Sequence, residues 1–151
     1  MASSPRTPSL ERRESAARPD GVLRFRLPAL DTSAAEARRR VRRQLAVWGV
    51  PEETSDNAQL VVSELVTNAL RHTGSASIGC EVGLRGALVR VAVSAAGRGP
   101  GRVPGAAGSD EESGRGLLLV CSLAAMWGVR PLDAGRAHEV WAELSPEGPT
   151  V

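Results

Sequence analysis

The chain has 151 residues, of which 42% are hydrophobic, and its formal net charge is +2 at pH 7. This length suits one domain with tails, and the apolar runs are too short to cross a bilayer. All 19 basic residues are arginine, so no lysine can act as a phosphate ligand or form a Schiff base.

The two cysteines, Cys80 and Cys121, lie far apart and lack metal-ligand spacing. We interpret them as buried free thiols in a reducing cytosol. The N-terminal residues lack the apolar block of a secretory signal. A cytoplasmic location is therefore expected.

The first 20 residues combine Pro, Ser and alternating charge with little apolar content, which predicts a disordered tail. A folded domain is expected over residues 21–145, followed by a short C-terminal tail over 146–151. The domain opens with "GVLRFRLPAL", in which Leu23, Phe25 and Leu27 alternate with polar positions. This alternation predicts a strand, closed by Pro28.

A helix is predicted next, over "DTSAAEARRRVRRQLAVWGV", because apolar residues recur there at helical spacing on one face. Arginines fill the other faces. The run "RRRVRR" suits either an acidic or nucleic-acid partner or a solvated helix surface. Acidic residues nearly balance the arginines and no aromatic platform accompanies them, which favours the solvated surface and no direct nucleic-acid binding.

A second helix is expected from Pro51 to about Arg71 because proline and the following acids suit a helix start. A hairpin near 76–94 follows, then a long mobile loop from 96 to 113 that is rich in glycine. "GRGLLLVCSLAAMWG" predicts a third helix, and the chain closes with a hairpin turning at Asp133–Gly135. This order indicates an α+β two-layer sandwich, with three helices on one face of a mixed, mostly antiparallel sheet.

The second helix carries a polar stripe within the segment "SELVTNALRHT". Glu64, Asn68 and Arg71 lie within about 60° of one another on a helix, and His72 sits beside them. Asparagine is a poor helix former, so its place in the middle of a helix needs a reason. The stripe is either a polar helix edge or a site that addresses a metal, an attacking group and a phosphate.

Glycines mark both ends of the predicted loop. "SAAGRGPG" leaves a strand, and Gly114, Arg115 and Gly116 are expected at the start of the third helix. Backbone N–H groups converge at a helix start and bind anions, and glycine permits close approach. A glycine-rich loop opposite a Glu/Asn helix therefore predicts a nucleotide pocket.

With these motifs the sequence resembles the histidine-kinase-like ATPases, the superfamily of gyrase and the sensor kinases. It is most similar to the bacterial anti-sigma switch serine kinases and their single-domain ATP-binding relatives. "ELVTNALRH" matches the N box of the family and "GRGLLLV" matches its second glycine box. The resemblance runs from about residue 22 to 144 and implies the ATP-binding sandwich of that superfamily.

The resemblance also implies roles for single residues. Asn68 would coordinate the Mg²⁺ that bridges the phosphates of ATP, and Glu64 would be the general base that polarises a serine hydroxyl or water. Arg71 and His72 complete the N box. The remaining nucleotide-binding positions are glycine-box residues: Gly97, Gly99, Gly114, Arg115, Gly116 and Leu117.

One position departs from the family. The first glycine box of the family is Asp-x-Gly-x-Gly, whose aspartate accepts a hydrogen bond from the adenine amino group, and Ala95 stands in its place. Ser94 cannot replace it because neighbours on a strand face opposite sides. Loss of that hydrogen bond costs roughly 1.5–3 kcal/mol. Two alternatives follow: a weak ATP site held by phosphate and Mg²⁺ contacts, or a lapsed pocket beside a retained protein-binding surface.

Two functions from different classes follow from the resemblance. The first is a serine-protein kinase that binds a sigma factor and phosphorylates a small antagonist protein. The second is a regulator that binds these partners without ATP, through a degenerate pocket. The resemblance implies homodimerisation as well, and no membrane partner is expected.

Overall fold

The computed structural model describes residues 21–97 and 111–146, with the side chains of 111–116 left out. The tail predicted over 1–20, residues 147–151 of the tail predicted over 146–151, and residues 98–110 of the loop predicted over 96–113 lie outside the described residues. The loop prediction is wrong at 111–113, which are helical, and at Ala96, which ends a strand. Among the described helices, none is both long and apolar enough to cross a membrane.

Five strands and three helices make up the described chain. The strands are β1 (Gly21–Pro28), β2 (Ser77–Arg85), β3 (Leu88–Ala96), β4 (Met126–Leu132) and β5 (Ala137–Leu144). The helices are α1 (Ser33–Val47), α2 (Glu52–His72) and α3 (Glu111–Leu123), and a 3₁₀ turn at Asp133–Gly135 joins β4 to β5. The two predicted hairpins are thus confirmed.

The strands form one sheet in the order β1-β2-β3-β5-β4, and every neighbouring pair is antiparallel. The predicted α+β sandwich is confirmed, although its described strands contain no parallel pair where a mixed sheet was expected. Antiparallel pairing follows from the two hairpins and from the helices that connect the remaining strands.

The core lies between the helices and one face of the sheet. Alternate strand residues such as Leu27, Val82, Val91 and Val140 are buried with apolar residues of all three helices. On β1 the residues between them, Arg24 and Arg26, are exposed. The alternation seen in the sequence therefore separates a core face from an open face.

Helix α1 buries Ala37, Val41 and Leu45, as its periodicity predicts. Three of its arginines, at positions 38–40, contact side chains within the domain. Arg39 and Arg40 both pair with Glu36, and these guanidinium groups lower the pKa of its carboxyl group. The arginine-rich surface of α1 thus forms its own ion pairs, as a solvated helix surface does.

Helix α3 differs from its predicted limits at both ends. It begins at Glu111 rather than at Gly114. It ends at Leu123, and Met126 to Gly128 belong to β4 instead. A Cβ on Gly128 would lie 2.9 Å from the Trp141 ring, so this strand glycine makes room for an aromatic neighbour on β5.

The two cysteines occupy different environments. Cys80 is buried in the core, and burial raises the pKa of its thiol to about 12. Cys121 is exposed, so the expectation that both thiols are buried is wrong for this residue. On α3 Leu117 and Val120 face the core, as does Ala124 just after the helix, and Cys121 lies outside that stripe.

Candidate functional site

The polar stripe of α2 runs along the edge of its core-facing side. The helix begins after Pro51 with two acids and buries a run of valines and a leucine. Glu64 and His72 are half-buried, Arg71 is exposed, and Asn68 is only 4% exposed. Burial therefore varies along the stripe, and Asn68 is its most buried member.

The side-chain amide of Asn68 makes no hydrogen bond within the described part of the chain. Both its side-chain nitrogen and its oxygen are buried without a hydrogen-bond partner. An unpaired buried polar group costs about 1–3 kcal/mol, so such a group is rare in a native fold. A buried amide of this kind is typical of a residue that completes its bonds with a ligand.

Gly97 brings the end of β3 against the end of α2. Its φ is +107°, and a Cβ at this position would lie 2.9 Å from the carbonyl oxygen of His72. Its N–H also donates a 2.7 Å hydrogen bond to the carbonyl of Arg136. Only glycine fits both the backbone angle and the contact. The first glycine of the loop thus joins the polar stripe of α2.

The two residues considered for the missing aspartate point to opposite faces. Ala95 is 5% exposed and belongs to the core cluster on the helix side. Ser94 lies on the open face, where its Oγ would be 2.6 Å from a Cβ added to Gly79. Ser94 also lines a cavity of about 340 Å³ on that face. No carboxylate therefore stands at position 94 or 95 on the core side.

His138 was missed by the sequence analysis. It is the Cα partner of Ala95 in the β3–β5 ladder and is 1% exposed. Its Nδ1 lies 3.1 Å from the carbonyl oxygen of Gly97, and its Nε2 is buried without a partner. The strand alternation of β5 points it to the core face, but only the pairing of β3 with β5 brings it to Ala95.

The second glycine box lies on α3, which packs directly against α2. Gly114, Arg115 and Gly116 fall within the first turns of α3, not before it, and the disposition of their side chains is outside the described part. Leu117, which follows them, is 2% exposed and belongs to the core. Gly99 lies outside the described residues.

The open face of the sheet carries charges that the sequence analysis did not single out. Glu139 is 7% exposed and accepts hydrogen bonds from Arg90 and Arg130, each at 3.0 Å. Arg90 also stacks on Trp141 and bonds to Glu81. This network is on the opposite side of the sheet from Asn68, so it is a separate feature.

The core-side arrangement suits a nucleotide with its metal. An amide oxygen is an oxygen ligand of the kind that Mg²⁺ prefers, and Mg²⁺ often completes its shell with phosphates and waters. A half-buried carboxylate, Glu64, stands one turn from Asn68. His138, whose Nε2 has no partner, is paired with Ala95 near the end of β3. Both unpartnered polar groups fit a ligand that offers donors and acceptors.

Comparison with known proteins concerns the family and the fold of the chain. The family model of the histidine kinase-like ATPase domain matches residues 27–136. Among solved structures, the RsbU and RsbW domains of a Mycobacterium tuberculosis protein share the fold, with a TM-score of 0.59 and 18% identity. The match covers 83% of this chain but 32% of that one, so this chain spans about a third of its length. No curated protein matches the chain.

Proposed function

The chain belongs to the histidine kinase-like ATPase family, and on that premise we propose that it is an ATP-binding regulatory protein of the anti-sigma class. Its partners would be a sigma factor and a small antagonist protein. The resemblance of "ELVTNALRH" and "GRGLLLV" to the switch kinases supports this class, as does the fold shared with a protein that contains an RsbW domain.

The observation that carries the proposal is the unpartnered amide of Asn68. A regulator that used only its outer surface would have no need to bury an amide without a partner, at a cost of about 1–3 kcal/mol. In the proposed site Asn68 would hold Mg²⁺ beside the phosphates. Bound Mg-ATP would supply the phosphoryl group.

Glu64 is the proposed general base. Its half-buried carboxylate lies one turn before Asn68, so the two side chains point in nearly the same direction. When a serine hydroxyl of the antagonist approaches, this carboxylate would accept its proton. Partial burial keeps the carboxylate near solvent, where a protein substrate can reach it.

The substitution at Ala95 supports a second candidate function, a regulator that works without ATP. Ala95 offers no acceptor for the adenine amino group, and Ser94 faces away from the site. In that case the sigma factor and the antagonist would bind to a fold whose pocket is no longer used. The proposal places either form in the cytoplasm, consistent with two free cysteines.

Calorimetric titration with Mg-ATP separates the two candidates. We expect the chain to bind Mg-ATP, and we expect Glu64→Gln to keep that affinity within about twofold while it loses phosphate release from ATP. Glu53→Gln, an exposed carboxylate in the first turn of the same helix, is the matched control and should change neither. Absence of heat at millimolar nucleotide would select the ATP-independent regulator.

A further inference from the structure

His138 is held in one orientation by the strand that carries the first glycine box. Its Nδ1 is 3.1 Å from the carbonyl oxygen of Gly97. A carbonyl oxygen can only accept a hydrogen bond, so Nδ1 must carry the proton. In a neutral ring with that tautomer, Nε2 has no proton and offers a lone pair. The unpartnered atom of His138 is therefore a hydrogen-bond acceptor.

The position of this acceptor relates it to the missing aspartate. Ala95 and His138 are directly paired across the β3–β5 ladder. Paired residues on neighbouring strands share a face of the sheet, with Cβ atoms about 4.5–5.5 Å apart. Both residues are on the core face, at 5% and 1% exposure. An acceptor on His138 thus lies within one side-chain length of the place where a carboxylate at position 95 would stand.

From these contacts we infer that His138 replaces the absent aspartate as the group that recognises adenine. Its Nε2 would accept a hydrogen bond from the 6-amino group of the base, which is the bond that Ala95 cannot make. Gly97 holds the ring through Nδ1, so the loss of a carboxylate on β3 is compensated from β5. This inference rests on the proposed function, since it concerns the base-recognition part of the same site.

The inference gives a role to the unpartnered Nε2 of His138 beside the role proposed for the unpartnered amide of Asn68. Helix α2 packs on both β3 and β5, and His72 at its end touches Gly97. One unpartnered group would serve the phosphate end of the nucleotide and the other would serve the base. A histidine with only a structural role needs Nδ1 bonded but gains nothing from a bare Nε2 in the core.

The test compares nucleotides that differ at the recognised group. ITP carries a 6-oxo group where ATP carries the 6-amino group, so it presents an acceptor to Nε2. We expect the wild-type chain to bind Mg-ATP on the order of tenfold more tightly than Mg-ITP in a calorimetric titration. The comparison uses only the wild-type chain, so it does not depend on the folding of a variant. It measures binding, so it does not depend on turnover of ATP.

Two substitutions at position 138 separate the ring nitrogens. His138→Asn keeps a donor near the place of Nδ1 and removes the acceptor at the place of Nε2, so Mg-ATP should lose its advantage in affinity over Mg-ITP. His138→Gln extends an amide to the place of Nε2, so it should keep part of the preference. Adding Ala95→Asp to His138→Asn should restore the preference, because a carboxylate would then stand on the same face.

The outcomes distinguish this inference from the proposed function. Equal wild-type affinity for ATP and ITP, or a preference that His138→Asn leaves intact, would overturn the role of His138 and leave the nucleotide site standing. Absence of binding by every nucleotide would overturn both. Retained binding of Mg-ITP by the His138→Asn chain shows that its pocket is folded, so a lost preference cannot be attributed to unfolding.

Discussion

Replacing Asn68 with alanine should stabilise the chain in the absence of nucleotide. Both polar atoms of its side chain are buried without partners. Their removal should therefore recover the cost of burying an unpaired polar group, about 1–3 kcal/mol. Alanine adds up to about 0.7 kcal/mol of helix propensity over asparagine. The lost packing of the amide group subtracts roughly 1 kcal/mol. The net expectation is a gain of about 1–3 kcal/mol in the free energy of unfolding.

Urea unfolding followed by tryptophan fluorescence measures this gain, and Asn57→Ala provides the control. Asn57 is a half-buried asparagine on the same helix, so its replacement gains the same helix propensity without relief of a buried amide. The difference between the two variants therefore isolates the burial of Asn68. A chain with Asn68→Ala that is less stable than one with Asn57→Ala would refute the argument that the amide lacks partners.

Mg-ATP should narrow or reverse this difference in stability between the wild-type and Asn68→Ala chains, because Asn68 belongs to the proposed site. A ligand at 100 times its Kd stabilises a protein by about 2.7 kcal/mol, and we expect this increment for the wild-type chain with Mg-ATP. The Asn68→Ala chain should gain little from the same addition. A variant that is more stable alone and less stabilised by ligand would show that the site is maintained at a cost to the fold.

Two further predictions concern the open face and the thiols. Glu139→Ala should lower the free energy of unfolding, measured in urea, by about 1–3 kcal/mol. The substitution removes the carboxylate that accepts hydrogen bonds from both Arg90 and Arg130. Arg136→Ala removes only an exposed ion pair and should cost less than about 0.5 kcal/mol; equal losses would contradict this. At pH 8, a thiol reagent should modify Cys121 quickly and Cys80 only after denaturation, since the pKa of Cys80 is raised to about 12. Rapid modification of both thiols in the native chain would show that Cys80 is not buried.

Much of the fold was predictable because its signals are local. Alternation along β1 and helical spacing along α1 each predict which residues are buried, and the same residues lie in the core. Pro51 with the acids after it predicts the start of α2. The end of α3 was not predictable in this way, because "MWGV" reaches its strand conformation only by pairing with β5.

The candidate site also has a part that was predictable from local sequence and a part that depends on strand pairing. The stripe of Glu64 and Asn68 is contained in one helix, so its spacing is visible in the sequence. The pairing of Ala95 with His138 joins residues that are 43 positions apart and depends on the register of β3 with β5. Hydrophobic alternation fixes which face each residue takes, but it does not fix which residues stand opposite one another. For this reason the substitution at Ala95 was recognised and its candidate replacement was not.

A structure of the chain crystallised with Mg²⁺ and a non-hydrolysable ATP analogue tests the central claim most directly. The claim is that the end of α2 and the paired strands β3 and β5 form one nucleotide cleft. We expect the metal beside the amide of Asn68 and the adenine amino group within hydrogen-bond distance of Nε2 of His138. A nucleotide bound on the open face, or none bound while both side chains stay buried and unpartnered, would contradict the account.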